Sequence, residues 1–357
     1  MIPEKGKLIE VLKEVVYFPK GDNIINLKMV DDIELGENLI RFRLLFEKVD
    51  DEKNQFLIDT ATQMLKNAFG DIEIDIVAAS QENSLSKVNH IIGIASGKGG
   101  VGKSTVAVNL AIGLALHGMK VGLLDADIFG PSMPKMFNME EARPYAENID
   151  GRDLIIPIEQ YGLKLLSIGF FVESDQAVLW RGAMASNALK QLIADAHWGD
   201  LDYFVLDMPP GTSDIHLTLV QTLGITGAVV VSTPQQVALA DARKGIDMFT
   251  NEKVNVPVLG LVENMAWFTP AELPENKYYL FGKEGCKRLA EEMNVPLLGQ
   301  IPIVQSICEG GDNGKPVALD ENSIVGKAFQ DLAKAVVEAT ERRNSEKPAT
   351  EAVKMQH

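Results

Sequence analysis

The spacing of apolar residues changes near residue 90, and this change divides the chain into two parts. Apolar residues of the first part recur at helical spacing in 8–16 and 51–69 and alternate with polar residues in 26–33, 38–46 and 72–76. This order predicts a small α+β domain over residues 1–80. The polar residues 81–89 have no apolar period, and we interpret them as a linker.

From residue 90 onward, short apolar runs alternate with glycine-bearing turns and with segments of helical spacing. The runs predict strands at 90–95, 120–125, 163–168, 202–207, 226–232, 257–262 and 296–300, and the segments predict helices at 103–117, 182–196, 213–223, 236–250, 284–293 and 324–341. Apolar strands that alternate with helices are typical of a parallel sheet covered by helices on both faces. The prediction is an α/β domain over residues 90–342 with a mostly parallel sheet, followed by a polar tail at 343–357.

The overall charge of the chain limits its partners. The formal net charge is −16, which disfavours nucleic acid or an anionic membrane as the main partner because both attract basic surfaces. No apolar run is long enough to span a bilayer, and the first residues lack the apolar block of a signal peptide. The two cysteines, Cys286 and Cys308, imply no disulfide framework. We therefore expect a cytoplasmic protein that binds neither nucleic acid nor membrane.

One motif indicates specific chemistry. Residues 97–104 read Gly-Lys-Gly-Gly-Val-Gly-Lys-Ser and fit the phosphate-binding loop G-x-x-x-x-G-K-[ST]. In that motif, backbone N–H groups surround phosphates, the lysine (here Lys103) contacts the terminal oxygens, and the hydroxyl (here Ser104) contacts Mg²⁺. The predicted helix that follows would offer its N-terminus to the anion. The motif predicts that the chain binds a nucleoside triphosphate with Mg²⁺, and a glycine-rich turn without a ligand is the alternative.

Carboxylates follow two of the predicted strands. Asp127 lies just beyond the apolar run 121–124, where it could orient the attacking water or approach Mg²⁺ through water, or simply begin a turn. Asp207 ends the run 203–206 in the Walker B pattern, and we expect it to meet Mg²⁺ through water, with a carboxylate that only begins a turn as the alternative. The loop 208–214 comes next and could sense the γ-phosphate.

A second lysine, Lys98, lies at the beginning of the phosphate loop. Because Lys103 already points to the β- and γ-oxygens, Lys98 is either redundant or aimed elsewhere. From the rim of the loop, it could reach the nucleotide of a facing subunit as a cation supplied in trans. A lysine that faces solvent is the alternative.

The loop with Lys98 resembles the deviant Walker A motif of the dimeric ATPases related to nitrogenase iron protein, the septum-site regulator MinD and the partition protein ParA. Five stretches are similar to the Mrp/ApbC group of iron–sulfur cluster carrier ATPases, namely 123–136, 179–192, 202–219, 232–249 and 307–317. Residues 1–80 resemble the small MIP18/PaaD-related domain that precedes the ATPase in many bacterial members. The resemblance implies a P-loop NTPase fold and an ATP-hydrolysing homodimer that serves recipient apo-proteins and cluster assembly proteins.

The resemblance also implies roles for individual residues. The residues that would contact ATP are Gly97, Lys98, Gly99, Gly100, Val101, Gly102, Lys103, Ser104, Thr105, Asn264 and Pro302. Lys98, Lys103 and Asp127 would serve hydrolysis, with Asp127 orienting the water. Ser104 and Asp207 would bind Mg²⁺. Asn264 would read adenine, and Pro302 would line the base.

The cysteines depart from the pattern of this group. Most of its cluster carriers have a Cys-x-x-Cys pair shortly after the Glu-Asn-Met segment, whereas residues 263–282 of this chain contain no cysteine. Cys286 and Cys308 remain, and each is also typical of a small, half-buried residue. Cys286 could help to bridge a cluster if two copies met near a dimer axis, so an iron–sulfur cluster stays possible without an assigned ligand set.

Two other functions therefore remain open. One is an ATP-dependent dimerisation switch like MinD or ParA, although the last predicted helix and the tail lack the basic amphipathic stripe that such a role usually needs. The other is a nucleotide-dependent protein-binding module. Lys98, Lys103 and Asp127 are all present, which favours an enzyme that hydrolyses ATP, at a slow rate.

Overall fold

The computed structural model of the protein describes residues 3–46, 52–80, 85–149, 152–172, 182–270, 272–273, 275–350 and 352. The chain divides into two compact units, one of residues 1–86 with 148–153 and the other of residues 87–147 with 154–357. No helix in these described stretches combines the length and the apolar character that crossing a membrane requires.

The N-terminal unit contains two helices and a three-stranded sheet. Its elements are α1 (Lys5–Leu12), β1 (Val16–Tyr17), β2 (Asp22–Asn23), β3 (Val30–Leu35), β4 (Leu39–Phe46), α2 (Glu52–Phe69) and β5 (Glu73–Ser80). The sheet has the order β3-β4-β5, in which β3 is antiparallel and β5 parallel to β4. The face of β4 that was expected to be apolar is buried, with Ile40, Phe42 and Leu44 fully inaccessible.

The first strand of this sheet begins later than the alternating pattern suggested. Residues 26–28 form turns because the Asn23 side chain accepts hydrogen bonds from the backbone N–H groups of Ile25 and Asn26. Such an Asx interaction offers the backbone an alternative to a sheet ladder. Strand β3 therefore starts at Val30, and α1 ends at Leu12, before Val16.

The second unit is built on an eight-stranded sheet with the order β10-β11-β7-β12-β6-β13-β14-β15. Its strands are β6 (Val88–Ser96), β7 (Val121–Asp125), β10 (Ile158–Gln160), β11 (Leu163–Ser167), β12 (Leu201–Asp207), β13 (Gly227–Ser232), β14 (Val258–Phe268) and β15 (Leu297–Ile303). Strands β8 (Tyr145–Ile149) and β9 (Arg152–Ile156) form a separate two-stranded sheet, of which the residues within 148–153 are assigned to the first unit. Every pairing in the eight-stranded sheet is parallel except that of β10 with β11.

The helices of this unit are α3 (Lys103–Leu116), α4 (Met133–Met136), α5 (Gly182–Ala194), α6 (Asp214–Thr222), α7 (Gln236–Thr250), α8 (Gly285–Met293), α9 (Gln305–Asp312) and α10 (Ile324–Glu346). Strands β7 and β13 are buried along their whole length, which fits a sheet covered on both faces. Helix α3 is almost entirely apolar and packs closely against α10, where a Cβ on Gly113 would lie 3.1 Å from the Cβ of Ala333. The predicted α/β architecture is confirmed.

Several details differ from the sequence-based expectation. Strand β6 begins at Val88, inside the expected linker, of which residues 81–84 lie outside the described part of the chain. Strands β8, β9 and β10 and helices α4 and α9 were not predicted. Helix α10 continues to Glu346, past the boundary expected at residue 342, and Arg343 donates hydrogen bonds to the Pro348 carbonyl and the Thr350 hydroxyl. The beginning of the tail is thus held by α10. Residues 353–357 lie outside the described residues, as do 179–181.

Candidate nucleotide-binding site

The phosphate loop, residues 97–104, connects β6 to α3 at the carboxyl edge of the sheet. Gly100 and Gly102 have φ angles of 81° and 80°, in the left-handed region that favours glycine. A Cβ on Gly97 would lie 2.2 Å from the Asp241 backbone of α7, whereas a Cβ on Gly99 or Gly100 would face open space. The loop is therefore packed on one side and open on the other, above the N-terminus of α3, where an anion is favoured.

Lys103 lies inside this arrangement and is only 6% exposed. Its Nζ donates a hydrogen bond to Asp207 Oδ1 at 2.5 Å and lies 3.8 Å from Asp127 Oδ2 and 3.3 Å from the Ser104 hydroxyl. Asp207 ends β12, and Asp127 follows the end of the neighbouring strand β7. The structure thus brings together four of the residues that the sequence singled out.

Burial dominates the electrostatics of the two acids. Asp207 is fully buried, and burial raises its pKa, while the charge of Lys103 acts in the opposite direction. Burial also raises the pKa of Asp127, again against Lys103. One carboxylate oxygen of Asp207, Oδ2, has no hydrogen-bond partner among the described residues. A buried acceptor without a partner beside a serine hydroxyl is the kind of group that a hard cation such as Mg²⁺ satisfies.

Asp125, the last residue of β7, organises the loop that carries Asp127. Its carboxylate accepts hydrogen bonds from the backbone N–H groups of Asp127, Ser132 and Met133 and from the Ser167 hydroxyl, at 2.9 to 3.3 Å. Burial and the charge of Asp207 raise the pKa of Asp125 to about 7. The different roles of the two acids could not be predicted, since Asp125 and Asp127 both lie at the end of one apolar run.

The segment that we call the second switch loop, residues 208–213, leads from Asp207 to α6. Its Met208 N–H donates to the Ile94 carbonyl, and its Gly211 N–H donates to the Ser96 carbonyl, directly before the phosphate loop. Gly211 has a φ of 81°, which favours glycine. The second switch loop therefore runs along the carboxyl end of β6 and lies beside the phosphate loop.

Asn264 and Pro302 lie on the adjacent strands β14 and β15, where Asn264 pairs with Ile301. The Asn264 side-chain amide donates a hydrogen bond to the Val101 carbonyl of the phosphate loop at 2.8 Å, and a Cβ on Gly102 would lie 2.2 Å from the same nitrogen. The two residues thus lie at one strand edge, and Asn264 contacts the phosphate loop directly. Just before it, the buried Glu263 accepts hydrogen bonds from the Cys286 N–H and the Gln300 side chain, which the sequence did not indicate.

Lys98 lies at the rim of the phosphate loop and is partly exposed. It has no ion-pair partner among the described residues, in contrast to Lys103, and its carbonyl accepts a hydrogen bond from the Ser96 hydroxyl. The side chain is therefore not held by the acids that hold Lys103.

The two cysteines differ in their environments. Cys286 is fully buried in the first turn of α8, and burial together with the charge of Glu263 raises the pKa of its thiol. Cys308 is exposed on α9 with its thiol near Asp312, whose charge raises its pKa. Within the described residues, no three His, Cys, Asp or Glu side chains converge on a place that could hold a metal ion.

The parallel sheet and the phosphate loop at its carboxyl edge define the chain as a P-loop NTPase. Residues 87–337 match the family model described as "ParA: NUBPL iron-transfer P-loop NTPase". This match covers more than half of the chain, so the protein belongs to the ParA/NUBPL iron-transfer P-loop NTPase family. The resemblance that the sequence motifs indicated is confirmed.

Relatives with known names agree with this assignment. The chain is 40% identical over 339 residues to the iron-sulfur cluster carrier protein of Synechocystis, a match that covers 92% of this chain and 96% of that protein. It is 50% identical to the mitochondrial iron-sulfur protein required for NADH dehydrogenase of Arabidopsis thaliana, over 72% of this chain and 80% of that one.

Solved structures give the same fold. A nucleotide-binding protein from Archaeoglobus fulgidus, determined in complex with ADP, is 36% identical and superposes with a TM-score of 0.56, over 66% of this chain and 91% of that one. The septum site-determining protein MinD from Pyrococcus horikoshii, determined with Mg-ADP, is 24% identical with a TM-score of 0.53, over 71% and 98% of the two chains. The second likeness concerns the fold alone.

Proposed function

We propose that this protein is a homodimeric ATPase that serves iron–sulfur cluster assembly and transfer. The observation that carries the proposal is the position of Lys103 between Asp207 and Asp127 below an open phosphate loop. Relatives named as iron-sulfur cluster carrier and transfer proteins support the cellular process. We further propose that the protein acts in the cytoplasm and serves recipient apo-proteins and cluster assembly proteins.

ATP would bind through the backbone N–H groups of residues 97–105, with its β- and γ-phosphates near Lys103. Lys103 would then exchange its contact with Asp207 for phosphate oxygens. Asn264 and Pro302 lie at the strand edge beside the loop, which suits an adenine base. The ADP in the Archaeoglobus fulgidus relative supports an adenine nucleotide as the ligand.

The Ser104 hydroxyl and the unpartnered oxygen of Asp207 fit a Mg²⁺ ion bound with the nucleotide. When bound, Mg²⁺ would offset negative charge on the phosphates. Asp127 is 16% exposed at its side chain, so it remains accessible to the water that attacks the γ-phosphate, and we assign it the orienting role. Lys98 of one protomer would reach the nucleotide of its partner, which makes the active form a dimer.

Steady-state hydrolysis of ATP by the full chain tests this assignment. We expect Lys103→Ala to abolish turnover and to weaken nucleotide binding. Lys98→Ala should keep nucleotide binding by the single subunit and lose both turnover and ATP-dependent dimerisation. Light scattering measures the dimerisation. Lys334→Ala, which removes an exposed lysine of α10, is the matched control and should behave as wild type. Normal turnover by Lys98→Ala would exclude the cation in trans.

The cluster itself is cargo in this proposal, and the described thiols do not form a site for it. Cys286 is inaccessible, and Cys308 stands alone on its helix. Soft thiolates are the usual ligands of iron–sulfur clusters. We therefore propose that a cluster is held only together with ligands of an assembly or recipient protein.

Anaerobic incubation with iron and sulfide, followed by gel filtration and absorbance spectroscopy, distinguishes a cluster that is held only with a partner's ligands from one that this protein binds by itself. The protein alone should elute without a stoichiometric chromophore. A brown protein whose colour survives gel filtration and disappears in Cys308→Ser or Cys286→Ser would refute transient holding and make the chain a carrier in its own right.

A further inference from the structure

A buried histidine beside the nucleotide site has no role in the function proposed above. His216 is the third residue of α6 and is 2% exposed. Its ring lies between the second switch loop and α7, where it meets the Phe249 ring edge-on at a centroid distance of 6.5 Å. Polar side chains that are this buried usually have a definite set of partners.

One ring nitrogen of His216 fixes the end of the second switch loop. The Ser213 backbone N–H donates to Nδ1 at 3.2 Å, and the Ser213 hydroxyl lies 3.3 Å from the same atom. In return, the His216 N–H donates to the Ser213 carbonyl at 3.0 Å. The Ser213 side chain also accepts from the His216 backbone N–H, and together with the contact of the Ser213 N–H to Nδ1 this forms a capping box, in which glutamate or glutamine usually occupies the position of His216.

The other ring nitrogen, Nε2, lacks a well-formed hydrogen bond within the described part of the chain. Because Nδ1 accepts a backbone N–H, the proton of the neutral ring is on Nε2, which is therefore a donor. Nε2 is buried and makes no hydrogen bond of good geometry to a described residue, although the Pro209 backbone lies close enough to the ring to raise its pKa. A buried donor without an acceptor lowers the stability of the fold, so such a donor is a candidate for a functional role.

The charges nearby explain why this position does not hold the usual glutamate. The charge of Lys103 reaches His216, and burial together with that charge lowers the pKa of the ring to about 4. A glutamate would add a negative charge beside Lys103 and its partner Asp207 and would offer no donor. The neutral histidine ring accepts a hydrogen bond from the Ser213 N–H without adding charge, and its Nε2–H remains available as a donor.

The remaining anchors of the loop are all in the backbone. Met208 and Gly211 donate to the carbonyls of Ile94 and Ser96, and Ser213 donates to the imidazole. A hydrogen-bonding interaction with the Pro209 backbone also raises the pKa of the His216 ring. Loops at this position in nucleotide switches rearrange around the γ-phosphate, and a carbonyl of the loop would then come within reach of Nε2.

We propose that His216 is a positioning residue for ATP hydrolysis, which anchors the second switch loop at Ser213 through Nδ1 and offers Nε2–H to that loop's backbone in the nucleotide-bound form. The proposal rests on the ATPase function proposed above. His216 touches neither nucleotide nor water in this scheme and acts only through the loop.

Three variants of the full chain test the two ring nitrogens. His216→Gln keeps an uncharged acceptor and a donor, His216→Glu keeps only the acceptor, and His216→Leu keeps neither. We expect kcat within about twofold of wild type for Gln and a fall of about tenfold or more for Glu and Leu, with ADP affinity changed by less than about threefold in each. Hydrogen exchange at the Ser213 amide should be slow in wild type and Gln and fast in Leu.

Each outcome decides the matter. Wild-type kcat in the Leu variant, or an equal loss in Gln and Leu, would overturn the proposal. If the Leu variant does not fold, the comparison of Gln with Glu still decides, because equal kcat in these two would eliminate the donor role. If the wild-type protein hydrolyses no ATP, the ATPase proposal fails, whereas rapid exchange at Ser213 in wild type would refute the anchoring by itself.

Discussion

The buried imidazole of His216 should make the stability of the second unit depend on pH. Its folded-state pKa is about 4, against 6.5 for an ordinary histidine. Between these values, the unfolded chain binds a proton that the folded chain does not, so stability is complete above pH 6.5 and falls as the pH is lowered toward 4. The relation gives a loss of about 2 kcal/mol between roughly pH 7.5 and pH 5, and of about 3 kcal/mol in full.

Urea unfolding of wild type and His216→Gln at the two pH values measures this loss. The carboxylates with raised pKa values, Asp125 among them, contribute equally to both proteins and cancel in the comparison. Trp198 and Trp267 lie in the second unit, Trp198 is fully buried, and residues 1–86 contain no tryptophan, so fluorescence follows the unfolding of the second unit. With an m value of about 3 kcal/mol/M, the wild-type midpoint should fall by about 0.7 M relative to the variant. Parallel pH dependence in the two proteins would refute the buried, neutral ring.

Three other perturbations have defined outcomes. Gly97→Ala forces a Cβ into the α7 backbone and should abolish nucleotide binding in a calorimetric titration, whereas Gly245→Ala, in open space on the same helix, should bind normally and raise stability by up to about 1 kcal/mol. A maleimide should modify Cys308 in the native protein and Cys286 only after unfolding, as seen by mass spectrometry of the labelled peptides. Glu263→Ala removes the acceptor of one buried and one partly buried hydrogen bond and should lower the free energy of unfolding by about 2–4 kcal/mol, measured with urea.

The sheet and the phosphate loop could be predicted from the sequence because their signals are local. Each central strand is an apolar run, and the loop has glycines where φ is positive, as at Gly100 and Gly102. The acids Asp127 and Asp207 were located because each follows a strand whose end was recognisable. A parallel sheet then brings such strand ends to one edge, whatever the details of the helices.

Features that depend on tertiary contacts could not be predicted. Helix α9 contains Gly310 and Gly311, which disfavour a helix, yet a Cβ on Gly310 would lie 2.6 Å from the Lys315 carbonyl, so close packing requires a glycine there. Met265 has a φ of 56°, where the pairing of β14 shifts its register. His216 was overlooked because the capping-box pattern is defined by glutamate or glutamine three residues after the cap.

The balance of charge explains why the proposed site would need cations beyond its own lysine. Asp125, Asp127 and Asp207 share the ends of two adjacent strands, burial raises the pKa of all three, and Lys103 is the cation placed between two of them. A triphosphate adds further negative charge to this place, and Lys103 cannot neutralise phosphate oxygens and Asp207 together. A metal ion at Ser104 and Asp207 would offset part of this negative charge. The remaining cation of the loop is the partly exposed Lys98, which has no ion-pair partner among the described residues. Pairing of two chains would therefore supply to each γ-phosphate the positive charge that one chain alone lacks.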